Sequence, residues 1–389
     1  MSYKLASSSW NQEELNAIQR VIKSERFSMG PEVIAFEKEF AGWHNVKYGV
    51  MVNSGSSANL ISIASLFHKN KNPLKPGDEV IVPAVSWSTT YTPLQQYGLK
   101  LKFIDVEIDS FNIDISKLEE AITPQTKMIV AVSILGNPAA VDQISSFADG
   151  HGLYFMEDNC ESLGAELPSK SKTGTFGDLN TFSFFFSHHI ATMEGGMVLT
   201  NDEELFHLLR SMRNHGWTRD LPECSDIYKK SDDDFFEAYR FILPGYNVRP
   251  IEMAGAIGRE QLKKLPDFIK KRRQNLSIFQ NLFGTDERFI IQKEYGKSSA
   301  FSFPLVLNPA QKPARKEILK ALKKADVEYR IITGGCFPRH DVIKYFDCEL
   351  TNIDNANIIH DYGLFFGNYP IDLTNELNQA YKLMDITFK

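Results

Sequence analysis

The chain has 389 residues, 43% hydrophobic and 24% charged, which excludes a disordered or low-complexity protein. At roughly 100–200 residues per domain, that length calls for two or three folding units. A formal charge of −6, from 49 acidic against 43 basic residues, gives no general pull on polyanions and disfavours nucleic-acid binding, so any anionic ligand needs a local device.

Helical spacing comes first. Leu15, Ile18, Val21 and Ile22 predict a helix over 13–24, and Val33, Phe36 and Phe40 one over 32–40. Short apolar runs follow at 49–52, 79–82, 101–104, 128–132 and 153–156, separated by amphipathic stretches of crossover length. They read as strands buried on both faces, as in a three-layer α/β unit. Two more, 181–186 and 197–200, are close enough for a hairpin-like pair. The polar, aperiodic stretch 220–234 is the expected long surface loop. From about residue 251 lysine-rich helical pattern (261–280 and 315–325) surrounds short strands at 301–303 and 329–332, which predicts a smaller α+β unit. The expected division is therefore 1–250 and 251–389. Within the second unit, Lys270-Lys271-Arg272-Arg273 is either an anion patch or a solvated helix face.

The four cysteines, Cys160, Cys224, Cys336 and Cys348, form no C-x-x-C pair, which argues against a disulfide framework, a zinc ribbon or an iron–sulfur run. The start MSYKLASSSW carries no apolar leader and no apolar run reaches about 18 residues, so a cytoplasmic protein off the membrane is expected.

Three segments can carry chemistry. After the strand at 50–52, Asn53-Ser54-Gly55-Ser56-Ser57-Ala58-Asn59 runs into an apolar helix, an arrangement that aims backbone N–H groups and a helix dipole at one spot; the same turn could simply cap that helix. The strand at 153–156 ends in Glu157-Asp158-Asn159. A carboxylate at the carboxyl end of a buried strand can pair with a cationic ring nitrogen, or can be a helix N-cap. The third segment runs from Thr181 to Gly196 and contains Ser183, His188 and Glu194-Gly195-Gly196.

With these pieces in this order, the chain resembles the fold type I pyridoxal-phosphate enzymes that act on nucleotide-linked keto sugars. In those aminotransferases the loop reads serine, four residues, lysine, five residues, Glu-Gly-Gly. Ser183, position 188 and Glu194 keep that spacing, and the lysine has become His188. A lysine amine can form a Schiff base with the cofactor and can shuttle protons, whereas an imidazole can do only the second. Within the family, histidine at this position marks the sugar 3-dehydratases. Residues 82–91, 187–196, 215–219 and 243–250 also carry the likeness, which runs along nearly the whole chain.

The resemblance implies a three-layer αβα large domain with a mostly parallel seven-stranded sheet, and a smaller α+β C-terminal domain. It implies pyridoxal 5′-phosphate and pyridoxamine 5′-phosphate as cofactor, held without a covalent link. The implied partners are L-glutamate as amino donor and a GDP-linked 4-keto-6-deoxy sugar, which would lose its C3 hydroxyl and leave ammonia and 2-oxoglutarate. It further implies a homodimer with shared active sites. A related dehydratase uses a two-iron cluster with a characteristic cysteine set, which the four cysteines here do not reproduce, so neither metal nor an iron–sulfur partner is expected.

Residue by residue, His188 is the implied acid and base. Gly55, Ser56, Ser57 and Ser183 would donate to the cofactor phosphate, and Asp158 would hold the ring nitrogen protonated. Trp87 would stack on the ring, unless it is a core residue. Glu161 would support Asp158, or be an ordinary surface carboxylate. Asn247 would reach the phosphate of the other subunit, or be a turn asparagine. His215, Arg219, Arg249, Glu328 and Arg330 are candidates for the substrate pocket, although salt bridges use the same residue types. Two other readings stay open: a 4-aminotransferase, which the missing lysine opposes, and a non-catalytic cofactor or nucleotide-sugar binding protein.

Overall fold

Runs such as Val50-Met51-Val52 and Met128-Ile129-Val130 have no polar face to turn to water, so they need cover on both sides. The structure, a computed structural model describing residues 2–388, supplies it. Strands β1 (Tyr48–Val52), β2 (Glu79–Pro83), β3 (Lys100–Ile104), β4 (Thr126–Val132), β5 (Tyr154–Asp158), β6 (Leu179–Ser183) and β7 (Gly196–Thr200) lie in one sheet, in the order β1-β7-β6-β5-β4-β2-β3. Only β7 runs antiparallel to its neighbours, and β6 and β7 form the expected pair. On one face α3 (Gly55–Leu66) and α4 (Ser88–Gln96) share a core with Val50, Val82, Val130 and Val198. Opposite them α2 (Pro31–His44) buries Phe36 and Phe40 against Phe182 and Phe184, in a cluster of ring contacts 5.1–5.7 Å between centroids. α1 (Gln12–Ser24) opens with Asn11 and Glu14 capping each other's backbone.

A 32-residue helix, Glu252–Phe283, leads out of this layer system. Its first residue grips α2: the Glu252 carboxylate accepts the backbone N–H groups of Gly30 (2.6 Å) and Glu32 (2.7 Å), where the helix dipole favours a negative charge. Its far end packs Phe279 and Phe283 onto an antiparallel sheet of β10 (Phe289–Ile291), β11 (Ser302–Leu307) and β13 (Gly363–Gly367), after the short ribbon β8 (Cys224–Ser225) and β9 (Tyr228–Lys229) within the 220–234 loop. Two segments cross between the sheets. Tyr3 is fully buried beside Phe279, Phe303 and Phe366 with its hydroxyl on the Gly367 carbonyl (2.7 Å). Conversely β12 (Cys348–Leu350) pairs in parallel with β3 and becomes an eighth strand of the large sheet, one more than expected.

Two predicted strands are corrected. The strand expected over 181–186 stops at Ser183, because the Phe184 N–H goes to the Gly195 carbonyl (2.9 Å) and closes a loop. Residues 329–332 form no strand: Arg330 makes one two-bond bridge with Phe365, and the chain then turns at Ile332–Gly334. The turn follows from Gly334 and Gly335 at φ 82° and 75°, with Thr333 at φ 38° beside them.

Candidate active site

The carboxyl ends of β4 and β5, the starts of α3 and α4, and the loop between β6 and β7 converge on one cavity of about 360 Å³. At its floor Ser54 caps α3, accepting the Ser57 N–H (3.1 Å), and Gly55 and Ser56 present the helix start to the cavity. Gly55 has no room for a side chain, since a Cβ there would lie 2.6 Å from the Ser183 Cβ and 2.9 Å from the Cys160 Sγ. The second glycine of Glu-Gly-Gly is needed for the same reason. A Cβ on Gly196 would meet the Gly55 nitrogen at 2.7 Å, so its absence lets β7 close against the helix start. The Ser56 and Thr89 hydroxyls bond to each other (2.8 Å).

Adjacent carboxylates at the end of β5 face different surroundings. Glu157 is buried and accepts the N–H groups of Gly174 (2.7 Å), Phe176 (2.7 Å) and Gly177 (3.0 Å), tying a surface loop to the sheet. Asp158 lines the cavity. Its Oδ2 accepts the Asn59 amide (2.9 Å) and the Thr90 hydroxyl (2.8 Å), while Oδ1 accepts only a longer bond from the Cys160 N–H (3.2 Å). Asn59 is itself held by the Thr181 hydroxyl (2.6 Å), and Thr90 by the Ser86 hydroxyl (2.9 Å). This carboxylate is fixed by neutral donors that leave one oxygen underused.

One turn further on, Glu161 accepts the Leu135 N–H (2.9 Å) and the Thr333 hydroxyl (3.2 Å). Burial, with the Asp158 charge adding to it, pushes its carboxyl up to about 7. Both donors sit in left-handed backbone, Leu135 at φ 52° and Thr333 at φ 38°. The strain in a branched residue such as Thr333 persists because the turn around it is over-determined.

The loop from 184 to 195 carries His188 into the cavity. Phe184 bonds to Gly195 and Thr192 to Phe184 across its base, and the His188 N–H turns back to the Phe185 carbonyl (2.9 Å). The imidazole packs edge-on to Phe301 (5.2 Å between centroids), and its Nδ1 is buried without a hydrogen-bond partner. Burial first, then the Arg272 charge, lowers the imidazole to about 3, so the ring is a free base at neutral pH.

The cavity brings the predicted base His188 together with most of the predicted cofactor residues: Gly55, Ser56, Trp87, Asp158, Glu161 and Ser183. Trp87 precedes α4 with 59% of its surface exposed, which disposes of the core-packing alternative. Ser57 is instead occupied in the cap, through its N–H and through its hydroxyl, which accepts from Ser54 (3.0 Å). Asn247 is exposed and accepts the Arg249 Nε–H (3.0 Å), outside the cavity walls. His215 is exposed at φ 63°, and Arg219 lies over the Trp217 ring at 3.8 Å, beside a second cleft. Glu328 is taken by Lys4 (3.2 Å) and the Leu5 N–H (3.0 Å). Arg330 is exposed, bonded to the Tyr329 carbonyl (2.8 Å). Sequence reasoning missed Asn59, Thr90, Cys160, Phe301 and Thr333. The first three stand inside or beside segments already singled out, whereas Phe301 and Thr333 arrive from the C-terminal part of the chain with no motif around them.

Donors of a helix start, a fixed carboxylate, a flat indole, and an imidazole whose buried Nδ1 lacks a partner fit a phosphorylated pyridine ring, with the phosphate at Gly55–Ser56 and the ring nitrogen at Asp158. The profile of the DegT/DnrJ/EryC1/StrS aminotransferase family matches residues 8–370. The chain belongs to that family. It is 51% identical, over 99% of its length and 98% of the relative's, to a GDP-4-keto-6-deoxy-D-mannose 3-dehydratase of Yersinia pseudotuberculosis. Among solved structures it is similar to the GDP-4-keto-6-deoxy-D-mannose-3-dehydratase of E. coli with bound hydrated PLP (TM-score 0.96, 49% identity, 99% of both chains). A histidine-to-asparagine mutant of a GDP-4-keto-6-deoxymannose-3-dehydratase with bound GDP-perosamine matches equally well (TM-score 0.96, 49% identity, 98% of this chain and 100% of that one). A pyridoxal-phosphate cofactor therefore belongs in this cavity.

Proposed function

We propose that the chain removes the C3 hydroxyl of GDP-4-keto-6-deoxy-D-mannose, with L-glutamate as amino donor, giving the 4-keto-3,6-dideoxy sugar nucleotide, ammonia and 2-oxoglutarate. The observation that carries this reading is His188: the family's Schiff-base lysine is replaced by a half-buried imidazole facing the cofactor cavity, in a chain half identical to dehydratases of this substrate. When bound, pyridoxamine phosphate supplies the amine that condenses with the C4 ketone and a protonated ring that accepts the electron pair released on deprotonation. His188 takes up that proton and, as imidazolium, gives it to the departing hydroxyl. Asp158, fixed by Asn59 and Thr90, holds the proton on the ring nitrogen. Gly55, Ser56 and Ser183 hold the phosphate, and Trp87 covers a ring face that no covalent bond anchors.

His215, Arg219, Arg249, Glu328 and Arg330 line no part of this cavity within one chain, and we assign them to the outer substrate region, where arginines meet the diphosphate. We also propose a homodimer in which Asn247 reaches the partner's site. In support, Asn247 is exposed, and so are the apolar Phe185, Phe186 and Met193 of the His188 loop (45–49% of their surface). Light scattering that found only monomers would remove this part. Among the described residues no helix is long and apolar enough to cross a membrane, and we place the enzyme in the cytoplasm with no iron–sulfur partner. We propose two units, 1–250 and 251–389, with Tyr3 and β12 packing across the division. The activity is tested by incubating the chain with pyridoxal phosphate, L-glutamate and the keto sugar nucleotide. Free ammonia and a C3 methylene are expected by NMR, and a 4-amino sugar as the product overturns the reading.

A further inference from the structure

Of the basic run Lys270-Lys271-Arg272-Arg273, three residues lie at least partly at the surface and one does not. Arg272, near the middle of the long helix, is 2% exposed. Its guanidinium donates to the carbonyls of Phe301 (2.8 Å), Asn368 and His188 (3.3 Å), and its Nε is buried without a partner. Among the described residues no carboxylate pairs with it. A buried cation left without a counter-ion is costly, so its persistence calls for a reason. The surroundings are built to keep it: Asn368 donates to the Arg272 carbonyl (3.0 Å) and the Ala300 carbonyl (2.8 Å), and Asn275 donates to the Asn368 side chain (3.1 Å). Phe301, whose carbonyl Arg272 binds, is the ring against which His188 packs.

We propose that Arg272 is a positioning residue for the His188 base: its guanidinium, with no carboxylate partner, holds the carbonyls of His188 and Phe301 and so fixes the imidazole against the Phe301 ring beside a positive charge. This rests on the reading of His188 as the base. The other titratable side chains around the ring are His189, Glu194, Asp158, Cys160 and Glu161. His189 is neutral, with Nε2 on the Ser299 carbonyl (3.1 Å). Any carboxylate charge on the β5 side favours an imidazolium, and Arg272 is the nearby cation that opposes it. Burial lowers the guanidinium itself only to about 9, so it stays charged at neutral pH.

The test is a proton titration of histidine-labelled protein, with and without bound pyridoxamine phosphate, in which the His188 signal is assigned by its loss in His188→Asn. In the wild type the His188 imidazole is expected to remain unprotonated at pH 5; a midpoint near 6.5 overturns the proposal without any change at Arg272. Arg272→Gln keeps N–H donors and removes the charge. Its His188 midpoint and the acid limb of the dehydration profile should both rise by about one pH unit or more, while Arg272→Lys, which keeps the charge, should stay within a few tenths. A folded Arg272→Gln protein with an unmoved midpoint and acid limb overturns the proposal. If His188→Asn dehydrated at the full rate, the base assignment itself would fall, an outcome separable from those at Arg272.

Discussion

The two walls of the cavity are built on opposite rules. On the β5 wall both carboxylates are hydrogen-bonded: Asp158 receives three donors and Glu161 two, all from neutral groups. On the His188 wall polar atoms are left buried and unmatched, namely the Nδ1 atoms of His188 and His189 and the Nε of Arg272. Asp158, which must hold a fixed charge through the reaction, is wired in place. His188, which must change charge, is kept short of partners, because hydrogen bonds would stabilise one of its two states.

If the contrast is right, the His188 wall should break most abruptly. His188→Asn removes the proton carrier and leaves the packing nearly unchanged, so dehydration should fall about 10³-fold in the ammonia assay with little loss of melting temperature. Asp158→Asn comes next. It keeps the shape but cannot hold a ring proton, and a loss of about 10²-fold is expected together with weaker cofactor retention, followed by absorbance after dialysis. Thr90→Val should cost about tenfold in kcat, the scale of one hydrogen bond to a charged group, and a Thr90→Ser variant should restore most of it. An effect of Thr90→Val as large as that of Asp158→Asn would mean that the wiring, rather than the charge, does the chemistry.

The walls also differ in how they respond to pH. Glu161 is raised to about 7 in the folded chain from an ordinary 4.5, so its contribution to stability is full below 4.5 and is lost as pH rises through 7. His188 is lowered to about 3 from 6.5, so its contribution is full above 6.5 and is lost as pH falls toward 3. The melting-temperature difference between Glu161→Gln and the wild type should therefore grow from pH 5 to pH 8. A difference that stays constant would show that Glu161 does not titrate in that window.

The large sheet was legible because its strands are uninterrupted apolar runs, and the cofactor cradle because small residues and an end-of-strand aspartate stand in fixed order within short segments. Reading failed where spatial partners are distant in sequence. Nothing around Thr333 marks a side chain that bonds Glu161, and Tyr329-Arg330-Ile331-Ile332 has strand composition while the glycines after it dictate a turn. Arg272 sat in plain view within a basic run, but a charge run does not reveal which of its members faces inward.

The crossing of β12 into the large sheet bears on how the chain is made. β3 offers an open edge, and the strand that covers it, Cys348–Leu350, is synthesised only near the end of translation. Until then the growing chain carries a row of unpaired backbone groups able to recruit other strands. Tyr3 waits in the same way for Phe303 and Phe366, more than 290 residues further along the chain. Neither sheet can finish before the other, so the finished protein should melt in a single calorimetric transition, and truncation before residue 348 should leave an aggregating fragment in place of a smaller enzyme.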